Sequence, residues 1–212
     1  MAGSRLPGPM CLFLGALEID VGTMCRSRSP LPGPIGTASS LDPPQASERI
    51  SPRIISGLLY PLAVKATSDY HSGSKRFGAT RSGGRKHAGI DLYAPAGTVV
   101  RAMAPGKVIN VYPFYCETYA IEINHGTFIA RYGEVDKHDA NIFVSPGDSV
   151  ERGERIAVVG RLVGISVPSN MLHLEMYSST ERSALTVKTN PPFQRRSDLL
   201  DPTASIDRAV FE

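Results

Sequence analysis

Arg85-Lys-His-Ala-Gly-Ile-Asp-Leu-Tyr-Ala-Pro-Ala-Gly-Thr-Val-Val100 is the part of the sequence that decides the fold, because it joins a polar cluster to a strand-like run through a Pro-Gly turn. His87 and Asp91 lie in it on either side of Gly89. In an extended chain alternate residues share a face, so both side chains project to the same side. We expect Gly89 to leave open space between them, where a metal ion or a substrate approaches.

A second polar cluster lies far downstream, in Leu172-His-Leu-Glu-Met176. Strand alternation places His173 and Glu175 on one face and the apolar residues on the opposite, core-facing side. His87, Asp91 and His173 together offer two imidazoles and a carboxylate, a ligand set that suits Zn²⁺. Three protein ligands leave the fourth position for water, which is typical of catalytic rather than structural zinc and favours a hydrolase.

Short strand-like runs separated by turn signals continue to residue 177, and helical periodicity is weak there. The 20 Gly and 17 Pro of this 212-residue chain agree with many turns and few long helices. The pattern predicts an all-β domain of antiparallel strands. The predicted strands are Thr98–Ala102, Gly106–Tyr112, Tyr119–Asn124, Phe128–Tyr132, Arg155–Val159 and Met171–Met176.

Composition excludes several classes of function. The net charge is only +3 and the basic residues are dispersed, so we expect no nucleic-acid partner. The three cysteines include no Cys-x-x-Cys pair, which rules out a disulfide framework and a cysteine zinc site; Cys116 is expected to be a buried small apolar residue. No apolar run reaches the roughly 18 residues of a membrane span. Met10–Leu17 is the candidate core of a signal peptide, but Glu18-Ile-Asp20 follows where small residues belong, which argues against cleavage.

The chain divides by composition into three parts. Residues 1–50 are rich in Pro, Gly and Ser, which predicts a disordered or docking segment. Residues 51–185 are predicted to form the folded domain, which the chain enters at Leu58–Leu62. Residues 186–212 are predicted to be a tail that packs on the domain.

The order of the motifs resembles peptidase family M23, the lysostaphin-like or LytM-type zinc endopeptidases, over roughly residues 58–178. The resemblance implies an antiparallel β-sheet with a β-sandwich-like groove of the lysostaphin-like, duplicated hybrid motif type. It also implies a zinc site of His87, Asp91 and His173, and cleavage of peptide bonds in peptidoglycan stems or cross-bridges. The motifs are His87-x-Gly-x-Asp91 with the Ala-Pro-x-Gly-Thr-x-Val that follows it, Ala104-Pro-Gly-Lys-Val108, Ile121–Gly126, Arg131-Tyr132, Val144–Gly160 and His173-Leu-Glu175.

Two positions depart from the family's pattern, in which each carries a helper histidine. Glu134 and Met171 stand there instead, and two interpretations follow. In the first, Glu134 is the general base, and stabilising the oxyanion falls to the metal because Met171 cannot donate a hydrogen bond. In the second, the domain is a catalytically degenerate, metal-binding module that binds the cell wall.

Other polar side chains have less specific roles. His125 is expected to fix its turn, and His138 to be a solvated loop residue. Glu175 either orients a metal ligand or lies at a strand edge. Arg131 either pairs with a substrate carboxylate or faces solvent. Residues 71–85, which begin with His71, form a glycine-rich loop of the kind that borders a substrate groove. No substrate-binding residue is assigned.

The biological setting follows from the expected substrate. The hairpin at Ser145–Gly153 is also similar to those of biotinyl and lipoyl carrier domains, but no lysine lies between Lys137 and Lys188 to carry the cofactor. Peptidoglycan lies outside the cytoplasm, so we expect the protein to be secreted or delivered to the periplasm or cell wall. A secretion apparatus that carries antibacterial effectors, or a phage tail or lysis system, would provide the route.

Overall fold

A computed structural model describes residues 53–164 and 170–212. The segment 1–50, predicted to be disordered or to dock, lies outside the described residues. Within the described residues nearly all regular structure is β, and the one α-helix there is α1 (Thr203–Asp207). No helix within the described ranges is both long and apolar enough to cross a membrane. The strands are β1 (Ile90–Tyr93), β2 (Val99–Arg101), β3 (Gly106–Pro113), β4 (Tyr119–Asn124), β5 (Ile129–Val135), β6 (Ser149–Val150), β7 (Arg155–Val158), β8 (Met171–Tyr177) and β9 (Leu199–Leu200).

The strands form a seven-stranded sheet in the order β1-β8-β5-β4-β3-β6, with β9 also paired to β8, and a two-stranded sheet of β2 and β7. Every strand pair is antiparallel. The predicted all-β antiparallel fold is therefore confirmed. Short 3₁₀ turns lie in the connections of the described ranges, at Gly73–Lys75, Ser82–Gly84 and Asp139–Asn141.

The core lies on one face of β8. Leu172, Leu174 and Met176 are fully buried in the main hydrophobic cluster, as strand alternation predicts. Burying one such side chain contributes roughly 1.5–3 kcal/mol, so the register of β8 is strongly fixed. The opposite face of the same strand therefore has to carry His173 and Glu175.

The two ends of the described chain pack together against this core. Leu58 and Leu62 are buried, and Leu59 forms a parallel bridge with Val210 near the C-terminus. Residues Leu199–Leu200 extend the main sheet by pairing with Met176 and Tyr177 of β8. The described residues that follow residue 185 thus contact the main sheet.

Candidate metal centre

Strand pairing brings the predicted ligands together. Asp91 of β1 lies directly opposite His173 of β8 in the register, and His87 precedes β1 on the same side. One donor atom from each residue lies within 4.8 Å of the others. Oδ1 of Asp91 is 2.9 Å from Nδ1 of His173 and 3.1 Å from Nε2 of His87, and the two nitrogens are 3.1 Å apart. All three side chains are buried.

The remaining polar atoms of the ligands are occupied by other groups, which fixes the atoms that face inward. Nδ1 of His87 must carry a proton, because it donates to the Arg76 carbonyl at 2.8 Å. Nε2 of His173 donates in the same way to Glu175, at 3.0 Å. Oδ2 of Asp91 accepts from the Arg81 guanidinium at 3.2 Å. The atoms left to converge on one point are Nε2 of His87, Nδ1 of His173 and Oδ1 of Asp91.

The electrostatics of this cluster favour a cation. Burial lowers the pKa of His87, which keeps its imidazole neutral and able to coordinate. Burial also opposes charge on His173, but hydrogen bonds to Asp91 and Glu175 outweigh it and raise the pKa to about 10. The pKa of Asp91 lies well below its usual range, since the two histidines outweigh its burial. Two imidazoles and an ionised carboxylate form a donor set that fits a Zn²⁺ ion, so the residues present suit the metal.

Gly89 is essential to this convergence, but the expected open space is absent. A Cβ at Gly89 would collide with the carbonyl oxygen of Leu174 and lie 3.1 Å from Cε1 of His173. The prediction of an open approach over Gly89 is therefore wrong. The missing side chain instead lets the backbone before β1 pack tightly against β8, which brings His87 within reach of His173.

Glu134 lies near the cluster at the end of β5, beside Gly133, which is paired with His173. Its φ of +64° is in the left-handed region, a strained conformation for a glutamate. Its Oε2 is buried and, among the described residues, has no hydrogen-bond partner. Burial raises the pKa of this carboxyl to about 7, with Asp91 adding to the rise and His173 and Arg81 opposing it. Strain, isolation and a shifted pKa are frequent at functional sites.

Met171 begins β8 and lies two residues before His173, on the same face of the strand. It is buried and paired with Tyr93 of β1. A thioether has no proton to donate, so this position contributes no hydrogen-bond donor to the site.

Arg81 is a residue of the site that sequence reasoning missed. Residues 78–87, which include the end of the glycine-rich loop, fold into a hairpin, in which Arg81 N–H donates to the Arg85 carbonyl and His87 N–H to the Ala79 carbonyl. The hairpin directs the Arg81 guanidinium to Asp91, and a second bond to the Ser74 carbonyl at 2.7 Å holds it there. The Ser82-Gly83-Gly84 turn is a signal for this hairpin, but nothing local reveals the partner.

A buried charge network continues from His173 across the sheet. Arg131 is only 1% exposed and pairs with Glu175 at 2.8 Å and with Glu122 at 3.0 Å. The expectation that Arg131 faces solvent or a substrate carboxylate is wrong, because neighbouring strands place a carboxylate on each side of it. Glu175, fully buried, holds the outer nitrogen of His173, so of its two predicted roles the structure shows the orienting one.

The other histidines lie away from the cluster. His125 is buried between the Pro105 carbonyl and the Tyr132 hydroxyl, in agreement with its predicted structural role. His71 is half exposed and bridges Asp69 and Asp207. His138 is exposed, as expected of a loop residue.

Comparison with known proteins gives one family. Residues 85–185 match the sequence profile described as Peptidase family M23. Among solved structures, the chain is similar to CbpA from L. salivarius REN (23% identity over 65% of this chain and 87% of that chain, TM-score 0.49). It is also similar to LytU (24% identity over 66% of this chain and 90% of that chain, TM-score 0.48). A third similar structure is the catalytic domain of the antimicrobial peptidase lysostaphin from Staphylococcus simulans (22% identity over 62% of this chain and 89% of that chain, TM-score 0.46).

Proposed function

Because residues 85–185 form a domain of peptidase family M23, we propose that this protein is a zinc-dependent endopeptidase that cleaves peptide bonds in bacterial peptidoglycan. One observation carries the proposal. His87, Asp91 and His173 direct one donor atom each to a common point, within 4.8 Å of one another. Each ligand is also held from outside by a hydrogen bond, the arrangement that supports metal-binding histidines in proteins.

Zn²⁺ bound by these residues would supply Lewis acidity at the scissile carbonyl and lower the pKa of a coordinated water. The protein's own groups do the remaining work. His87 and His173 stay oriented because Arg76 and Glu175 hold their outer nitrogens. Asp91 contributes the only negative charge among the three ligands, which offsets part of the charge of the metal.

Glu134 is the proposed general base. A carboxyl with a pKa of about 7 can accept a proton near neutral pH and return it to the leaving amine. Its unpaired Oε2 is free to accept that proton, since no described residue competes for it. The strained backbone at Glu134 further supports a functional reason for its placement.

Arg81 is proposed to supply the donor that Met171 lacks. Its guanidinium, which offers several N–H donors, is held beside Asp91. Its side chain is 26% exposed, so a substrate oxygen can reach it from solvent. In this arrangement Arg81 would stabilise developing negative charge on the substrate, in addition to the Lewis acidity that a bound zinc would supply.

The direct test is fragment release from peptidoglycan by the purified protein, with its zinc content measured in parallel. Wild type is expected to bind one equivalent of zinc and release fragments, while His87→Ala loses both properties. Glu134→Ala is expected to keep zinc and lose release. Stoichiometric zinc without release from diverse cell walls would exclude the peptidase, and a Glu134→Ala variant as active as wild type would exclude Glu134 as the base.

The second candidate is a metal-binding cell-wall module without catalysis. The apolar, buried Met171 favours it, because a helper position there has lost its donor. This module would sediment with insoluble peptidoglycan in a zinc-dependent way and release nothing. An active wild-type enzyme eliminates this candidate.

We further propose that the protein acts outside the cytoplasm, as an antibacterial effector delivered by a secretion apparatus or as a phage lytic enzyme. The support is the location of the proposed substrate together with the Pro/Gly-rich composition of residues 1–50. Deleting residues 1–50 is expected to abolish delivery while sparing the activity of the purified domain. Unchanged delivery of the truncated protein would contradict a role for this segment.

A further inference from the structure

A short segment beyond the family-matched region contacts the residues that support His173 and those that support His87. Residues 190–196, here named the C-terminal strap, follow the matched range of residues 85–185. Within the strap, the Asn190 side chain donates to the Arg195 carbonyl at 2.7 Å, and Gln194 N–H donates to the Asn190 carbonyl at 2.8 Å. These bonds close the strap into a compact turn, so its side chains have fixed positions.

On one side the strap holds the carboxylate that orients His173. The Arg195 guanidinium contacts Oε1 of Glu175 through Nε at 2.9 Å and through a terminal nitrogen at 2.8 Å. The same oxygen accepts the proton on Nε2 of His173 at 3.0 Å. Arg131 and the Tyr177 hydroxyl bind Oε2, the other oxygen of Glu175. Arg195 therefore sets the position of the oxygen that His173 uses.

On the other side the strap supports the loop that orients His87. Phe193 stacks on Phe77, with ring centroids 4.9 Å apart. Lys86 N–H donates to the Pro192 carbonyl at 2.9 Å, directly before His87. Arg76, next to Phe77, provides the carbonyl that accepts from Nδ1 of His87.

We propose that the C-terminal strap is a positioning element of the metal centre, which aligns both imidazoles through Arg195 and Phe193 and so sets the affinity for zinc. The proposal rests on the zinc site of the proposed function. Neither residue touches the metal ligands directly; each acts through one intermediate, Glu175 or the loop at Phe77. Loss of a group that hydrogen-bonds a metal ligand typically weakens metal binding about 10–100-fold, and Arg195 and Phe193 lie one contact beyond such groups, so we expect the lower end of this range.

The experiment measures zinc affinity of the full-length protein by competition with a chromophoric chelator. Arg195→Ala is expected to bind zinc about 10-fold more weakly than wild type, the lower end of that range. Arg195→Lys keeps the charge but cannot make the paired contact, so its affinity should fall between the two. Lys188→Ala, at an exposed position just before the strap, is the matched control and should bind like wild type.

A spectroscopic measurement separates positioning from a general loss of structure. The ligand-field absorption of the Co²⁺-loaded protein reports the geometry at the metal, and Arg195→Ala should shift it while the circular dichroism stays that of wild type. Phe193→Ala tests the His87 side and should also shift the Co²⁺ spectrum and weaken zinc binding. A change in thermal stability without either effect would mean that the strap is only structural.

Each outcome decides a specific point. If wild type binds no zinc, the proposed function fails, and the strap proposal, which rests on it, is overturned with it. If wild type binds zinc and folded Arg195→Ala binds it equally well, the strap proposal is overturned and the proposed function stands. If Arg195→Ala does not fold, Arg195→Lys decides: wild-type affinity and an unshifted Co²⁺ spectrum overturn the proposal, and an intermediate affinity supports it.

Discussion

Asp91 and His173 face each other across β1 and β8, with the carboxylate Oδ1 2.9 Å from the imidazole Nδ1. The pairing of two remote strands thus produces the contact on which the candidate site is built. Because each residue is anchored by its strand, the relative position of the two groups depends on sheet geometry rather than on a loop. A site on rigid strands is held more accurately than one on loops.

Replacing Asp91 with Asn tests the charge of the ligand set. The amide keeps the shape but removes the negative charge, so zinc affinity should fall by more than the roughly 100-fold typical of losing an outer partner. Isothermal titration with zinc measures the change. Asp69→Asn, an exposed aspartate beside His71, is the control and should leave affinity unaltered.

Glu134 should make the stability of the metal-free protein fall as pH rises. Its pKa is raised from 4.5 to about 7 in the folded state, so the folded protein binds the extra proton between these values. The contribution of Glu134 to the free energy of unfolding is therefore greatest below pH 4.5. It is lost as pH rises through 7, by roughly 3 kcal/mol. Glu134→Gln cannot ionise, and urea unfolding should show it more stable than wild type at pH 8. Equal stabilities at pH 8 would contradict the burial of an unpaired carboxylate.

His125 should make the stability of the protein fall as pH decreases, the opposite of the effect of Glu134. Burial lowers its pKa to about 4, despite hydrogen bonds to the backbone. Above pH 6.5 the imidazole is neutral in the folded and the unfolded state, so it does not lower the free energy of unfolding. Stability is lost as pH falls from 6.5 towards 4, because only the unfolded chain takes up the proton. The loss is roughly 3 kcal/mol. In denaturant titrations, His125→Gln should have a flatter pH profile over this interval, though a lower stability at pH 7. A parallel profile would exclude His125 as the source.

Gly89→Ala tests the close approach of β1 and β8. The added methyl meets the Leu174 backbone, which cannot move aside without shifting the strand. We expect a loss of roughly 1–3 kcal/mol, as for overpacking in cores, and weaker zinc binding because His87 is displaced. Gly147→Ala is the control: its φ of +98° imposes backbone strain, but no atom lies near its Cβ, so stability should fall without a change in zinc affinity.

Much of the fold could be predicted because its signals are local. Alternation and turn residues located β4 at Tyr119–Asn124 and β8 from Met171. The two-residue strands β6 and β9 cannot be predicted, since two residues carry no periodic pattern. Their pairing depends on neighbours that only the folded chain provides.

The candidate site divides in the same way. Residue type and spacing identified His87, Asp91 and His173 as ligand candidates, and alternation placed Glu175 on the face of His173. The tertiary structure alone decided that Arg131 is buried between two carboxylates. It also decided that Arg81 and Arg195 approach the ligands from distant segments. The face on which a side chain lies follows from the chain's own geometry, whereas its partners depend on strand register and on long-range packing, which no local stretch of sequence encodes.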